Sequence, residues 1–159
     1  WRREGPFADV SDAENAVLRD LMTDAVMALD LANTEWLKAH VAEHGWPTVS
    51  EVGPRSANAA WLIAQHADMD PAFQLHALQL MEPLAATGEA HAANFAILSD
   101  RVSLKLSGTQ RYGTQLSCRG GSREALQIED AEQVDAWRAA VGMVPLADYV
   151  AEMNARGPC

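Results

Sequence analysis

The stretch Gln65-His66-Ala67-Asp68-Met69-Asp70-Pro71-Ala72-Phe73-Gln74 lies between two helical patterns and decides how the chain is divided. Before it, apolar and small residues recur at helical spacing up to about His66. Asp70 followed by Pro71 is a strong start signal, because aspartate accepts backbone N–H bonds at an N-cap and proline needs no N–H partner at the first helical position. The pattern predicts one helix that ends near His66 and another that begins at Asp70-Pro71.

Similar signals predict three more helices in the first two thirds of the chain. The capping box Ser11-Asp12-Ala13-Glu14 starts a helix whose apolar face extends to about Leu31. Thr34 is interpreted as the cap of a separate helix that Gly45 terminates, with Gly45-Trp46-Pro47-Thr48 as a loop. The five predicted helices cover approximately 11–31, 34–44, 55–66, 70–87 and 89–102.

The apolar period changes after Arg101. Val102, Leu104 and Leu106 alternate with polar residues, Gly108-Thr109 follow as a turn, and residues 112–118 are typical of a return strand. A second turn at 120–122 leads to a short strand through 126–128, and two last helices start near 130 and 145. The sequence therefore predicts an α+β fold, a mostly helical single domain over 1–159 with a small antiparallel sheet or hairpin after the fifth helix.

Composition bounds the class of protein. The 159 residues, 48% of them hydrophobic, are the usual size for one domain with a single core. Twelve Lys and Arg against 22 Asp and Glu give a formal net charge of -10, which disfavours nucleic acid and anionic membrane surfaces as partners. Two cysteines make no disulfide framework, so Cys118 is interpreted as a small strand residue and a reducing, cytoplasmic location is expected.

Several motifs make the chain resemble a bacterial domain of unknown function, family 6624. In chain order they are Gly45-Trp46-Pro47-Thr48, residues 60–68, Asp100-Arg101-Val102, residues 110–115, and the tail from 134 to 146. The resemblance covers roughly 30–153, and the Gly120-Gly121 turn looks short and altered beside the usual form. The resemblance implies a common pocket but carries no established reaction, so a mechanism has to come from the residues.

The charged candidates for chemistry are His66, Asp68 and Arg101. His66 can transfer protons near neutral pH, and Asp68 or Asp70 can orient its ring. The structural alternative makes His66 a helix-end residue favoured by the helix dipole and Asp68 a turn former. Arg101 is expected to hold an anionic substrate group through paired hydrogen bonds, unless Asp100 is its local salt-bridge partner.

Uncharged groups complete the predicted site. Amides offer a donor and an acceptor without charge, which suits a ligand with neutral polar edges or an internal network that fixes loops. Tyr112 is assigned to the catalytic set as a donor or acid, against the alternative of half-buried strand packing. Trp46 is expected to wall the pocket, against the alternative of a loop anchor. The predicted substrate-binding residues are Trp46, Gln65, Gln74, Gln110, Thr114 and Gln115.

Two classes of function follow from these candidates. The first is a small acid–base enzyme, with His66 as general acid or base, that hydrolyses, eliminates or isomerises a small molecule or peptide bearing an anionic group, without cofactor or metal. The second is a non-catalytic interaction protein whose polar residues brace loops and whose acidic surface meets a basic partner. A metal-dependent hydrolase is less favoured, because the candidate ligands His66, Asp68, His76 and His91 have no recognised spacing.

Overall fold

The computed structural model describes residues 10–159, and about two thirds of it, 67%, is helical. The α+β prediction, mostly helical with one small antiparallel sheet, is confirmed. The elements are α1 (Asp12–His44), α2 (Val49–His66), α3 (Pro71–Thr87), α4 (Ala92–Ser107), β1 (Leu116–Arg119), β2 (Ser122–Ala125), α5 (Val134–Ala140) and α6 (Leu146–Ala155). In this part of the chain, no helix is both long enough and apolar enough to cross a membrane.

Helix α1 is one continuous helix of 33 residues, so the prediction of two separate helices is wrong. Its start is as predicted, because Ser11 and Glu14 form the capping box. Thr34 does not cap a new helix. It lies inside α1 with its side chain buried against the core, and neither glycine nor proline interrupts the chain near it. Gly45, with a φ of 82°, ends the helix as predicted.

The loop between α1 and α2 is anchored rather than open. The Trp46 side chain is buried in the hydrophobic core, so it is a loop anchor and not an exposed wall of a pocket. Helix α2 begins at Val49, earlier than predicted, and bends at Gly53, where a φ of 78° interrupts the helical backbone before Pro54. The Val49 N–H donates to the Glu89 carbonyl over 2.9 Å and thereby ties the loop to the start of α4.

Helix α4 continues through the segment that was predicted to be a strand. The alternation of Val102, Leu104 and Leu106 is misleading, because Val102 is buried one turn after Leu98 whereas Leu106 is 71% exposed. An apolar period of two over six residues does not exclude a helix whose core face is set by the i, i+4 pair. Gly108 ends α4 in the left-handed conformation.

The sheet is a two-stranded hairpin. β1 and β2 are antiparallel, with Leu116 opposite Ala125 and Arg119 opposite Ser122. Gly120 and Gly121 both have positive φ, which is the backbone that a two-residue hairpin turn requires, so the predicted turn is confirmed. The first strand starts at Leu116, not at 112.

The core lies where the last third of α1 meets α2, α3 and α4. Alanines on α2 and α3 allow close helix approach, and the larger side chains of α1, α3 and α4 fill the space between them. The residues with 1% exposure or less are Leu37, Ala64, Ala77, Met81, Ala96 and Leu98 among the apolar ones.

The C-terminal segment packs on the hairpin and is covalently closed. Cys118 in β1 and Cys159 form a disulfide across 41 residues of sequence, so the expectation of unpaired cysteines is wrong. The guanidinium of Arg123 in β2 reinforces this closure by donating from Nη1 to the carbonyls of Met153 (2.9 Å) and Gly157 (2.6 Å). Sequence spacing alone did not show that the chain end returns to β1.

Reduction of the Cys118–Cys159 disulfide should lower the free energy of unfolding by about 2–4 kcal/mol, because a cross-link of this span restricts the unfolded chain. Urea unfolding with and without reductant measures the change. The double variant Cys118→Ser/Cys159→Ser is the control and should not respond to reductant. Two reactive thiols per chain in the native, unreduced protein would contradict the pairing.

Candidate functional site

The predicted site residues separate into two groups on either side of α4. Asp100 and Arg101 are neighbours in sequence, but their side chains have different partners. The Asp100 carboxylate accepts hydrogen bonds from the loop after α4, and Arg101 binds Asp68 at the end of α2. Asp100 is therefore not the salt-bridge partner of Arg101, and that alternative is wrong.

The first group is the Asp68 cluster, which consists of Asp68, Gln74, Arg101 and Lys105. Nη1 of Arg101 donates to both oxygens of Asp68, at 2.9 and 2.7 Å. Nζ of Lys105 donates to Oδ1 of Asp68 at 3.1 Å and to Oε1 of Gln74 at 2.7 Å. Two cations and one amide thus converge on one carboxylate.

Helix ends place these side chains. α2 ends at His66, and Asp70 caps α3 by accepting from the Phe73 N–H at 2.9 Å, as its position before Pro71 predicted. Gln74, one turn into α3, is buried and donates from Nε2 to the carbonyls of Ala64 (3.3 Å) and Gln65 (3.2 Å). The first turn of α3 therefore satisfies the last carbonyls of α2 and holds Asp68 between the two helices.

The Asp68 carboxyl is a stabilised anion. Partial burial raises its pKa, but the hydrogen bonds and positive charges of Arg101 and Lys105 together outweigh the burial, so the pKa lies below the ordinary value of 3.8. The Asp68 side chain is half exposed and that of Arg101 is 26% exposed, so the cluster is accessible from solvent on one side.

Three buried polar atoms have no hydrogen-bond partner within the described residues: Arg101 Nε in the cluster, and Trp61 Nε1 and Gln65 Oε1 on α2. Trp61 and Gln65 are one turn apart on the same face of α2, and α2 packs against α4, which carries Arg101. Buried polar groups are normally paired, since an unmet one costs about 1–3 kcal/mol. Two donors and one acceptor are therefore left with unmet hydrogen bonds among the described residues.

His66 and Asp68 do not form a hydrogen-bonded pair. The His66 side chain is exposed, and no hydrogen bond or ion pair of its imidazole is found within residues 10–159. Both oxygens of Asp68 are directed to cations, and Asp70 pairs with Lys38 at 2.7 Å. The structure brings Asp68, Gln74 and Arg101 into contact, and no described hydrogen bond or ion pair joins the His66 imidazole to them.

The second group forms a braced loop from 110 to 115. The fully buried Asp100 accepts from the N–H groups of Arg111, Tyr112 and Thr114 and from the Thr114 hydroxyl, all at 2.8–2.9 Å. Gln110 bonds to the backbone of Gln115 with both ends of its amide. This arrangement agrees with the alternative in which the amides fix a loop.

Tyr112 is buried in this loop and is not a solvent-facing acid. Burial is the largest cause that raises the pKa of its phenol, and the charge of Arg111 opposes it. Its carbonyl accepts from Nη1 of the buried Arg138 at 2.5 Å. Tyr112 therefore connects the loop to α5 through its backbone.

A cavity of about 330 Å³ lies beside the same loop, between β1, β2 and α6. Thr114 and Gln115 line it together with Arg123, Tyr149 and the Cys118–Cys159 disulfide. Its lining contains no residue of the Asp68 cluster. The predicted substrate-binding residues consequently do not converge on one pocket.

Sequence reasoning missed Lys105, Trp61 and Arg138. Lys105 lies four residues after Arg101 on α4, so both cations share one helix face, a relation hidden by the prediction of a strand at 102–107. Arg138 entered the sequence analysis only as part of the motif from 134 to 146. It is buried in the structure, and a buried arginine needs several hydrogen-bond acceptors.

Metal ligands are not assembled here. Within the described range 10–159, no three His, Cys, Asp or Glu side chains are grouped so that they could hold a metal ion. The four candidates considered from the sequence, His66, Asp68, His76 and His91, do not form such a group.

The stabilising effect of the Asp68 ion pairs should depend on pH in the acid range. Since the pKa of Asp68 is lowered in the folded state, its contribution is present above about 3.8 and is lost as the pH falls through the folded-state value. At pH 7 Asp68→Asn should lower the free energy of unfolding by up to about 1 kcal/mol, because the pair is partly exposed.

Urea unfolding at pH 7 and pH 3 checks this. The difference between the wild type and Asp68→Asn should shrink at pH 3, while the exposed Asp148→Asn control should change little at either pH. A difference that grows as the pH is lowered would show that Asp68 is not held as an anion.

Comparison with known proteins adds the family but no activity. No curated protein and no solved structure matches the chain. A family model described as a family of unknown function, DUF6624, matches residues 10–156, which is most of the chain, and this agrees with the resemblance inferred from the motifs. The chain therefore belongs to the DUF6624 family.

Proposed function

We propose that the protein is a small acid–base enzyme, a hydrolase, lyase or isomerase, that acts on a small molecule or peptide bearing an anionic group. The observation that carries this proposal is the convergence of Arg101 and Lys105 on Asp68, together with the buried Nε of Arg101 that has no partner within the described residues. A carboxyl group with a lowered pKa and an unmet buried donor on its arginine partner are typical of binding and catalytic sites.

The charge at the cluster favours an anionic group. Arg101 and Lys105 supply two positive charges against one negative charge from Asp68, within a chain of formal net charge -10. The cluster is thus a local positive region on a protein whose overall charge repels anions, and this contrast directs an anion to it.

Arg101 has an edge available for such a group. Its described hydrogen bonds use Nη1 alone, so the edge formed by Nε and Nη2 has no partner in the described part of the chain. That edge matches the two oxygens of a carboxylate or phosphate. The unmatched Gln65 Oε1 and Trp61 Nε1 then suit a donor and an acceptor elsewhere on the same ligand.

His66 is the proposed proton-transfer group. It follows Gln65 directly and stands at the end of α2, next to the turn that carries Asp68. Its exposed imidazole can reach a ligand at the rim of the cluster, and imidazole is suited to both acid and base roles. In this proposal Asp68 positions the two cations and does not orient the imidazole.

A non-catalytic interaction protein is the second candidate. The loop from 110 to 115 supports it, because Asp100, Gln110 and Thr114 are satisfied by bonds within the chain and so need no ligand. In that case the Asp68 cluster also serves only to join α2, α3 and α4, and the acidic surface meets a basic partner.

The cellular location follows from the cysteines. A cytoplasmic location was expected because the cysteines were taken as unpaired, and the Cys118–Cys159 pair removes that reason. Structural disulfides persist in oxidising compartments, so we propose such a compartment in place of the cytoplasm.

Arg101→Lys should weaken the binding of small anions by about 1–3 kcal/mol, because an ammonium replaces a two-point contact with a point charge. Titration of labelled protein with phosphate and with small mono- and dicarboxylates, followed at the Trp61 indole N–H by NMR, measures affinity. Arg111→Lys is the matched control, since Arg111 also holds a carboxylate, Glu129, but lies on the other loop. Equal losses in both variants, or a lower melting temperature with unchanged affinity, would reject the anion site.

His66→Asn should leave anion affinity at the cluster unchanged and should abolish turnover of the substrate identified by screening compounds that carry the bound anion. His76→Asn, an exposed histidine on α3, is the control and should keep full turnover. Binding and rate assays on the same preparations separate the two steps. Full activity in folded His66→Asn would eliminate His66 as the acid or base while leaving the binding site intact.

A further inference from the structure

Among the described residues, no other element covers the large apolar surface on the first two thirds of α1. The buried residues of α1 are Thr34, Leu37 and Val41, all in its last third. None of the residues from 11 to 30 is buried. Contiguous exposed apolar surface of this kind marks an interaction site. The exposed large apolar side chains of α1 are Val17, Leu18, Leu21, Met22, Val26, Met27, Leu29, Leu31 and Trp36.

This part of α1 extends away from the rest of the fold. At a rise of about 1.5 Å per residue, the 33 residues of α1 span roughly 50 Å, of which only the C-terminal part contacts the core. Most helical stability in proteins comes from packing of an apolar face, so this segment gains stability when its exposed apolar face is covered.

The exposed face contains a heptad seam. From Asn15 to Trp36, steps of three and four residues alternate without a break, which is the spacing that keeps one face towards a partner helix. We call this set the α1 seam, and its members are Asn15, Leu18, Met22, Ala25, Leu29, Ala32 and Trp36.

The α1 seam points away from the domain's own core. At about 100° per residue, the core-facing Leu37, Thr34 and Val41 lie roughly 100–160° around the helix from Trp36. Trp36 is accordingly 61% exposed, while Leu37 beside it is fully buried. A second helix can therefore lie along the seam with both domains on the outside.

We propose that the α1 seam binds a second copy of this chain, as a parallel two-stranded coiled coil. Charge supports this occupant. In a parallel pair a residue before one seam position faces the residue five places later in the other helix. This sets Glu14 of one copy against Arg19 of the second, through Oε1, because the capping box uses only Oε2 of Glu14. The other flanking residues from 21 to 33, which are Leu21, Val26, Ala28 and Asn33, carry no charge that opposes pairing.

The parallel direction is favoured over the antiparallel one. With the same overlap, an antiparallel pair sets Glu14 against Glu35 of the second copy, a like-charge contact. Asp20, Asp24 and Asp30 fall on the outer face in both cases, where they keep the pair soluble.

The seam is most apolar in its middle. In the heptad 22–28, Met22, Ala25, Val26 and Ala28 are all apolar, and Leu21 lies directly before them. An anionic lipid surface is a poorer occupant, since residues 12–30 carry five acidic side chains and one basic one.

Sedimentation equilibrium of the full chain from about 1 to 100 µM tests the proposal. The wild type should reach the mass of a dimer. Leu29→Glu places a charge in the seam and should give a monomer, whereas Leu31→Glu, a control of similar exposure (53% against 60%) on the outer face, should stay dimeric. Circular dichroism should show that both variants keep the helices of the core.

A cysteine scan tests the direction of the pair. Leu18→Cys should form an intermolecular disulfide on mild oxidation, because equivalent seam positions meet in a parallel pair, and Asp20→Cys on the outer face should not. A wild type that stays monomeric throughout, a Leu31→Glu variant that dissociates as readily as Leu29→Glu, or a dimer whose Leu18→Cys chains do not cross-link would each overturn the proposal.

Discussion

The buried carboxylate of Asp100 is the contact on which the second half of the structure depends. It is fully buried and is satisfied by three backbone N–H groups and one hydroxyl, all from residues 111–114. A buried charge is tolerable only when its hydrogen bonds are met, and here meeting them fixes the path of the loop. Arg138 then binds the Tyr112 carbonyl from the other side, so one loop joins α4 to α5. Removal of the carboxylate would leave the loop's donors without partners and would separate the helical core from the hairpin and α6.

Arg101, the next residue on α4, contacts a different part of the structure. A step of about 100° directs Asp100 inward and Arg101 towards the end of α2, and Lys105 repeats the direction of Arg101 one turn later. Asp100 on one face of α4 therefore stabilises the fold, whereas Arg101 and Lys105 on another face are partly exposed to solvent. This division explains why predicted site residues that are close in sequence do not share a pocket.

Local signals allowed much of the fold to be predicted, and non-local contacts account for what was missed. The end of α2, the start of α3 at Asp70-Pro71 and the Gly120-Gly121 turn each depend on a few adjacent residues whose backbone preferences are strong. Thr34 was misassigned as a cap because its burial against the core is set by other helices. The Asp68–Arg101 pair joins residues 33 positions apart, and the disulfide joins residues 41 apart, so no local pattern reveals either. The structure therefore adds the contact partners of each side chain, which the residue types in the motifs do not reveal.

For the proposed anion-binding function, Asp68 also determines what kind of ligand suits the cluster. In the protein alone it neutralises one of the two cations and keeps both side chains in place, so a ligand meets a preorganised group and loses little entropy on binding. A weakly interacting anion has no advantage there, because Asp68 already occupies Nη1 of Arg101 and one side of Lys105. In this proposal a ligand gains more if it uses the Nε–Nη2 edge of Arg101 together with the unmet bonds of Trp61 and Gln65, because an unmet buried polar group is costly. Selectivity at this site would consequently come from the neutral groups around the anion, and the positive charge would supply attraction and orientation.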